Sequence, residues 1–226
     1  MRIDILTLFP EMFSALKMSI LGRATESGKL KINLINIRDF SKDKHKKCDD
    51  EIYGGGAGML MMVQPIYDAV MSVKTENSKI FVFSPKGVTF NQKYAQNMSN
   101  LEHIILICGH YEGIDERVIE IFNPTLLSMG DYVLTGGEIP AMLVVDCVSR
   151  LLNDVISKDS LNEESFTNGL LEYPQYTRPA DFMGYKVPDV LLSGNHAEID
   201  KYRAKCSLLE TKKYRPDLLG GRKWIK

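Results

Sequence analysis

The chain has 226 residues, with 28 Lys and Arg against 29 Asp and Glu, a formal net charge of −1 and 44% hydrophobic residues. This length and balance suit one sizeable core with a small second module, and they exclude a repeat array, a disordered tail and a fibrous protein. The near-zero charge, taken alone, also argues against a nucleic-acid binder that works through bulk positive charge.

Residues 3–9 are rich in branched apolar side chains and end at Pro10, which predicts a buried strand followed by a helix start. Phe13, Leu16, Ile20 and Ala24 then recur at helical spacing up to Gly28, predicting one helix. Leu30, Ile32 and Leu34 alternate with Lys31 and Asn33 as a second strand. Two further apolar runs, 80–83 and 104–108, follow helices predicted near 65–74 and 91–99. A helix near 114–122, a short strand at 132–134 and an apolar helix from about 138 to 152 complete the alternation, which predicts an α/β domain whose mostly parallel sheet is covered on both faces. The last helix carries Ala141, Met142, Leu143, Val144, Val145 and Val148 on more than one face. That suits a deep core position or, the favoured reading, a subunit interface.

The character then changes. Residues 157–165 are polar and aperiodic, and read as a linker or mobile loop. Beyond them Asn195 and Glu198 are spaced as a helix cap, Ile199, Tyr202, Cys206 and Leu209 form an amphipathic stripe, and Pro216 ends it. The expected organisation is a cofactor and catalytic domain over 1–156, a linker over 157–166 and a small helical module over 167–226. From Thr167 onward there are 11 basic and 7 acidic residues, a net of +4, which leaves −5 before it. The neutral chain is an acidic domain joined to a basic one.

Charge enters the N-terminus at Arg2 and Asp4, too early for a signal-peptide hydrophobic region, and no apolar run approaches the roughly 20 residues of a membrane helix. A cytoplasmic protein without a membrane partner is expected. Cys48, Cys108, Cys147 and Cys206 lie tens of residues apart, as reduced thiols would, and neither they nor the four histidines show metal-ligand spacing.

Three glycine-rich loops stand where chemistry could sit. Residues 53–59 hold four glycines but lack both the P-loop ending and the dinucleotide fingerprint; flanked by Lys42, Lys44, Lys46, Lys47 and an acidic trio, they suit either a grip on a polar polymer or a plain surface loop. Residues 108–117 follow an apolar strand and open a helix, so the glycines leave main-chain amides free at the carboxyl end of a strand, where α/β sheets bind ligands. In 129–138 an apolar triplet is bracketed by glycines, as in main chain wrapped around a ligand or in a hairpin.

The segments LFPEMF (8–13), YGGGAGMLMM (53–62), GHYEGIDER (109–117), GDYVLTGGEIPA (130–141) and GLLEYPQYTRP (169–179) together resemble, in the same order and from first strand to last helix, the bacterial tRNA (guanine-N1)-methyltransferase family of the TrmD type, in the knotted SPOUT class. The resemblance implies methyl transfer from S-adenosyl-L-methionine to N1 of guanosine 37 of tRNA, beside the anticodon, where another guanosine precedes it. It implies a homodimer with active sites at the subunit interface, and a trefoil knot formed by the second and third loops. By the motif match, cofactor contacts fall at Ser84, Pro85, Gly109, Tyr111, Gly113, Met129, Gly130, Asp131, Tyr132, Val133, Leu134, Gly136 and Gly137. A role for Mg2+ is left open.

Guanine N1 carries a proton, so its methylation needs a base as well as a methyl carbon held in line with the nitrogen. The family places an aspartate before a Ser-Phe pair in that role. Here the matching residue is Glu164, one methylene longer. Arg150 matches the family's functional arginine, and a guanidinium suits the negative charge that grows on O6 as the proton leaves. Asp49, Gly58, Glu112 and Glu172 match positions linked with tRNA or guanine handling. The target base must leave its stack to be reached, and Lys201, Arg203, Lys205, Lys212, Lys213 and Arg215 are expected to meet phosphates.

Overall fold

A computed structural model describes residues 1–220, in two units that divide after Ile156. The first unit begins with β1 (Arg2–Thr7), a 3-10 helix (Pro10–Lys17), α1 (Ser19–Glu26), β2 (Lys31–Asn36) and a second 3-10 turn (Ile37–Phe40). It continues through β3 (Asp49–Asp50), β4 (Leu60–Met61), α2 (Val63–Val73), β5 (Ser78–Thr89) and α3 (Gln92–Ser99). After β6 (His103–Ile107) come α4 (Glu116–Phe122), β7 (Thr125–Ser128) and α5 (Glu138–Ser149).

Five strands in the order β2, β1, β6, β5, β7 form one parallel sheet. Side chains alternate across a strand, so β6 feeds two cores. Ile104 and Leu106 join Ile3, Ile5, Phe13 and Val144 on one face, whereas Ile105 and Ile107 join Leu6, Ile66, Val70 and Val118 on the other. Apolar burial on both faces explains why the strands read as continuous hydrophobic runs. The amino ends of the strands are tied by polar groups: buried Asp4 accepts from Asn33 Nδ2 (2.6 Å), pairs with Arg2 (2.6 Å) and lies 2.8 Å from His103 Nε2. The other ring nitrogen of His103 meets Ser78 Oγ at 2.7 Å, which links β5 to the network. The carboxyl ends are left for function.

The structure corrects several expectations. The single helix expected before Gly28 is two pieces, because Met18 is extended, Ser19 takes φ +55°, and Gly22 packs so closely on the Lys17 carbonyl that a side chain would collide. No strand forms at 132–134; the strand after α4 is β7, whose four residues end in a polar Ser128. The long helix buries Pro140, Ala141, Val144, Val145 and Val148 in its own chain and exposes only Ile139 and Leu143 among its large apolar residues.

In the second unit, the stretch expected as a linker carries α6 (Lys158–Asn162), started by Ser157, whose hydroxyl accepts from the Ser160 N–H. Then come a hairpin of β8 (Asp181–Phe182) and β9 (Tyr185–Lys186), α7 (Asp189–Leu192), α8 (His196–Tyr214) and a 3-10 turn (Pro216–Leu219). Asn195 caps α8 by accepting from the Glu198 N–H at 3.3 Å. Of the expected stripe, Ile199 is buried and Tyr202 and Cys206 partly so, but Leu209 is exposed and Thr211 is wholly buried instead. Thr211 earns that place by hydrogen bonding: its hydroxyl accepts from Leu171 N–H (2.9 Å) and donates to the Ser207 carbonyl (2.7 Å). Among the described residues, no helix is long and apolar enough to cross a membrane.

Candidate active site

A cavity of about 310 Å³ opens at the carboxyl ends of β5, β6 and β7. Three departures from regular structure make it. In β5 the register against β7 jumps between Phe83 and Val88, so residues 84–87 bulge out and Ser84 and Pro85 reach the cavity wall. After β6 the chain turns through Gly109, His110, Tyr111, Glu112 and Gly113, with Tyr111 in the left-handed region at φ +59°, a conformation a bulky residue adopts at a cost. After β7 the chain wraps through Met129, Gly130, Tyr132, Val133, Leu134, Thr135 and Gly136. Gly130, at φ +135°, lets the Tyr132 ring fold back so that its hydroxyl donates to the Met129 carbonyl at 2.9 Å.

The second and third loops cross at close quarters. The Gly137 N–H donates to the Gly109 carbonyl at 2.8 Å, and His110 bridges to Gly136. A Cβ on Gly137 would stand 2.7 Å from Cys108 Cα and 3.1 Å from Gly109 N, both backbone. Gly137→Ala is therefore expected to destabilise the protein by about 1–3 kcal/mol, or roughly 2–4 °C of melting temperature per kcal/mol, measured by thermal unfolding.

Beneath the crossing lies a group that the sequence did not single out. Glu138 begins α5 yet is only 1% exposed. One carboxylate oxygen accepts the Thr7 hydroxyl at 2.9 Å, and the other lies 3.6 Å from His110 Nδ1, within ion-pair reach but beyond a hydrogen bond. Thr7 Oγ1 accepts in turn from the Phe9 N–H (2.9 Å), and the His110 ring packs at 4.9 Å from Phe9. Burial, with Glu138 adding to it, pushes the Cys108 thiol well above its ordinary value, so that sulfur stays neutral beside the loop. A lone acidic residue opening an apolar helix was the available signal for Glu138; Thr7 and His110 carried none.

Of the thirteen residues matched to cofactor contact, twelve line this one cavity, and Asp131 does not. Of the four matched to substrate, Gly58 and Glu112 touch, and Asp49 stands in the same hairpin as Gly58. The glycine-rich loop is the tip of the β3–β4 hairpin, with Asp49 paired to Met61, and Gly58 lies against Glu112, where a Cβ would come within 2.5 Å of Oε1. The Glu112 N–H donates to the Met59 carbonyl (3.1 Å), and Met61 exchanges main-chain bonds with Gly113 and Asp115 (3.0 Å each), so the hairpin and the loop after β6 are zipped together. Three of the four flanking lysines are paired: Lys47 with Asp50 (3.1 Å), Lys46 with Asp39 (3.0 Å) and Lys42 with Asp68 (3.6 Å). The Lys47 hydrogen bond holds the Asp50 carboxyl below its ordinary range.

Arg150 caps the carboxyl end of α5, where a cation also offsets the helix dipole. Glu164 and Glu172 belong to the second unit. Glu164 stands in a turn whose backbone is closed by Thr167 N–H to the Glu164 carbonyl (3.3 Å) and Phe166 N–H to Leu170 (2.7 Å). The Glu172 N–H donates to Ser165 Oγ at 2.9 Å, and its carboxylate accepts from Gln175. Next to it, burial and then a hydrogen bond to Glu163 push the Tyr173 phenol up to about 12, and the Arg203 guanidinium covers its ring at 4.7 Å.

Residues 1–221 match the family described as tRNA (Guanine-1)-methyltransferase TrmD. A tRNA (guanine-N(1)-)-methyltransferase from Ruminiclostridium cellulolyticum is 54% identical over 223 residues, covering 96% of each chain. Proteins of the same description from Clostridium botulinum strain Hall and from Caldanaerobacter subterraneus subsp. tengcongensis are 57% and 58% identical, over 96% and 97% of this chain and 91% and 92% of theirs.

Proposed function

The chain belongs to the TrmD family of tRNA (guanine-1)-methyltransferases, and from that membership we propose that it methylates N1 of guanosine 37 in tRNA, beside the anticodon, with S-adenosyl-L-methionine as donor. The observation that carries the reading is the single cavity lined by twelve of the motif-matched residues.

The cavity fits such a donor. Pro85, Tyr111, Val133 and Leu134 offer apolar surface to a purine. Gly109 and Gly113 leave main chain open, since a Cβ would meet only Ile114 Cγ2 at 3.4 Å at the first and nothing within 4 Å at the second. Bound there, the donor supplies an electrophilic methyl group on sulfonium. The close crossing of the 109–110 and 136–137 segments supports a trefoil knot, in which threaded main chain rather than a flexible lid shapes the pocket.

The protein's own groups then handle the guanine. Glu164 accepts the N1 proton as the carbon–nitrogen bond forms, and Arg150 offsets the charge that builds on O6. Arg150 lies ten residues beyond Pro140, the last residue of α5 to line the cavity, about 15 Å along the helix at 1.5 Å per residue. An arginine at that remove from its own chain's cavity suits a site completed by a second copy of the chain, which supports a homodimer with sites at the interface. Exposed Ile139 and Leu143, one helical turn apart on α5, offer apolar surface for that contact. Asp49, Gly58, Glu112 and Glu172 are assigned to the tRNA. A tRNA substrate supports a cytoplasmic location for the enzyme.

The experiment is methyl transfer from labelled S-adenosyl-L-methionine to tRNA transcripts. Label is expected in a transcript with guanosines at 36 and 37 and not in one with adenosine at 37; equal labelling of both would overturn the assignment. Repeating it with and without a chelator decides whether Mg2+ takes part.

A further inference from the structure

The β8–β9 hairpin in the second unit has a feature that the reaction leaves unused. Phe182 and Tyr185 are direct cross-strand partners, so their rings share one face, while Asp181 and Lys186 pair on the other. The two-residue turn has positive φ at both positions, Met183 (+55°) and Gly184 (+87°), the twist that suits a tight hairpin. Gly184 N–H donates to Asp181 Oδ1 (2.9 Å), and Val187 N–H to the Ala180 carbonyl (2.8 Å). This small, well-tied element holds its apolar groups out: Phe182 is 63% exposed, and Met183 and Tyr185 are 84% exposed. At its base a cavity of about 420 Å³ is walled by Tyr176, Arg178, Ala180, Val187 and Arg203. The Arg203 Nε is buried with no hydrogen-bond partner among the described residues.

We propose that this hairpin is a stacking platform for unpaired nucleobases of the tRNA substrate, with the basic cavity beside it receiving the adjoining sugar-phosphate. The proposal rests on tRNA being the substrate. Two aromatic rings beside a cavity that Arg178 and Arg203 line, in a module of net charge +4, match the chemistry of single-stranded nucleic acid: flat bases and a negative backbone. A second copy of the chain is the rival occupant, and the test separates the two.

The test compares the full chain with the Phe182→Ala/Tyr185→Ala variant in tRNA affinity, cofactor affinity and subunit association. Loss of the rings is expected to weaken tRNA binding by about 5- to 100-fold. The slope of log affinity against log salt should stay unchanged, because no phosphate contact is removed. Cofactor affinity and association state should match the unmodified protein. Phe182→Tyr/Tyr185→Phe should retain binding, and Phe182→Leu/Tyr185→Leu, which keeps apolar bulk, should lose it. Unchanged tRNA affinity in the alanine or leucine variants overturns the proposal, as does a loss that tracks subunit dissociation, which would assign the hairpin to a second copy. If the unmodified protein methylates tRNA while the variants bind it as tightly, only the platform fails; if it does not methylate tRNA, the functional reading fails.

Discussion

Glu164→Gln is expected to lower turnover by about 10²- to 10⁴-fold while affinity for S-adenosyl-L-methionine stays at the unmodified value. Glutamine keeps the shape of the side chain and removes its ability to take a proton. The turn around Glu164 is held by main-chain bonds, from Thr167 to the Glu164 carbonyl and from Phe166 to Leu170, so the substitution leaves its frame in place. Single-turnover kinetics with saturating tRNA and cofactor isolate the chemical step. Near-normal turnover would remove Glu164 from the mechanism. Glu164→Asp, one methylene shorter, is expected to keep the proton transfer and alter only its geometry.

Gly109→Val should abolish cofactor binding in a protein that remains folded. The fold tolerates a side chain there, because the nearest atom to a Cβ is Ile114 Cγ2 at 3.4 Å, and the added bulk fills the cavity that Gly109 lines. Gly137 is the contrast: its missing side chain makes room for the chain's own backbone. Calorimetry with S-adenosyl-L-methionine, paired with thermal unfolding, checks both halves, and full cofactor affinity would show that Gly109 does not face the ligand. The same variant tests the shared site. Mixed and reassembled with Arg150→Ala, itself expected to be inactive, it should regain activity, since one site of the mixed dimer then has both an intact cavity and an intact arginine. No recovery would place both residues in one chain's site.

The sheet was legible because its strands are buried on both faces and therefore spell continuous apolar runs at 3–9, 80–83 and 104–108. The apolar triplet 132–134 deceived for the same reason, since composition does not distinguish side chains facing a core from side chains lining an open cavity. Strand β7 escaped because it has four residues and little pattern. The helix break at Ser19 and the burial of Thr211 are tertiary effects, decided by a carbonyl against Gly22 and by the main chain at Leu171. At the site, local motifs carried the glycine loops well. Long-range groups were another matter: Thr7, His110 and Glu138 meet across 131 residues of sequence between the first and last, and no spacing rule links them. The assignment of Glu164 rests on family resemblance alone, since in isolation it is one charge in a polar stretch. Net charge misled in a simple way, by averaging −5 with +4.

The most direct test of the account is to map the methyl group. A tRNA transcript with guanosines at 36 and 37 is incubated with the protein and S-adenosyl-L-methionine, digested with nuclease, and its fragments read by mass spectrometry. The account predicts one added methyl, on the base of nucleotide 37 and recovered as N1-methylguanosine. A methyl on a ribose, on another nucleotide or on no nucleotide at all would contradict it.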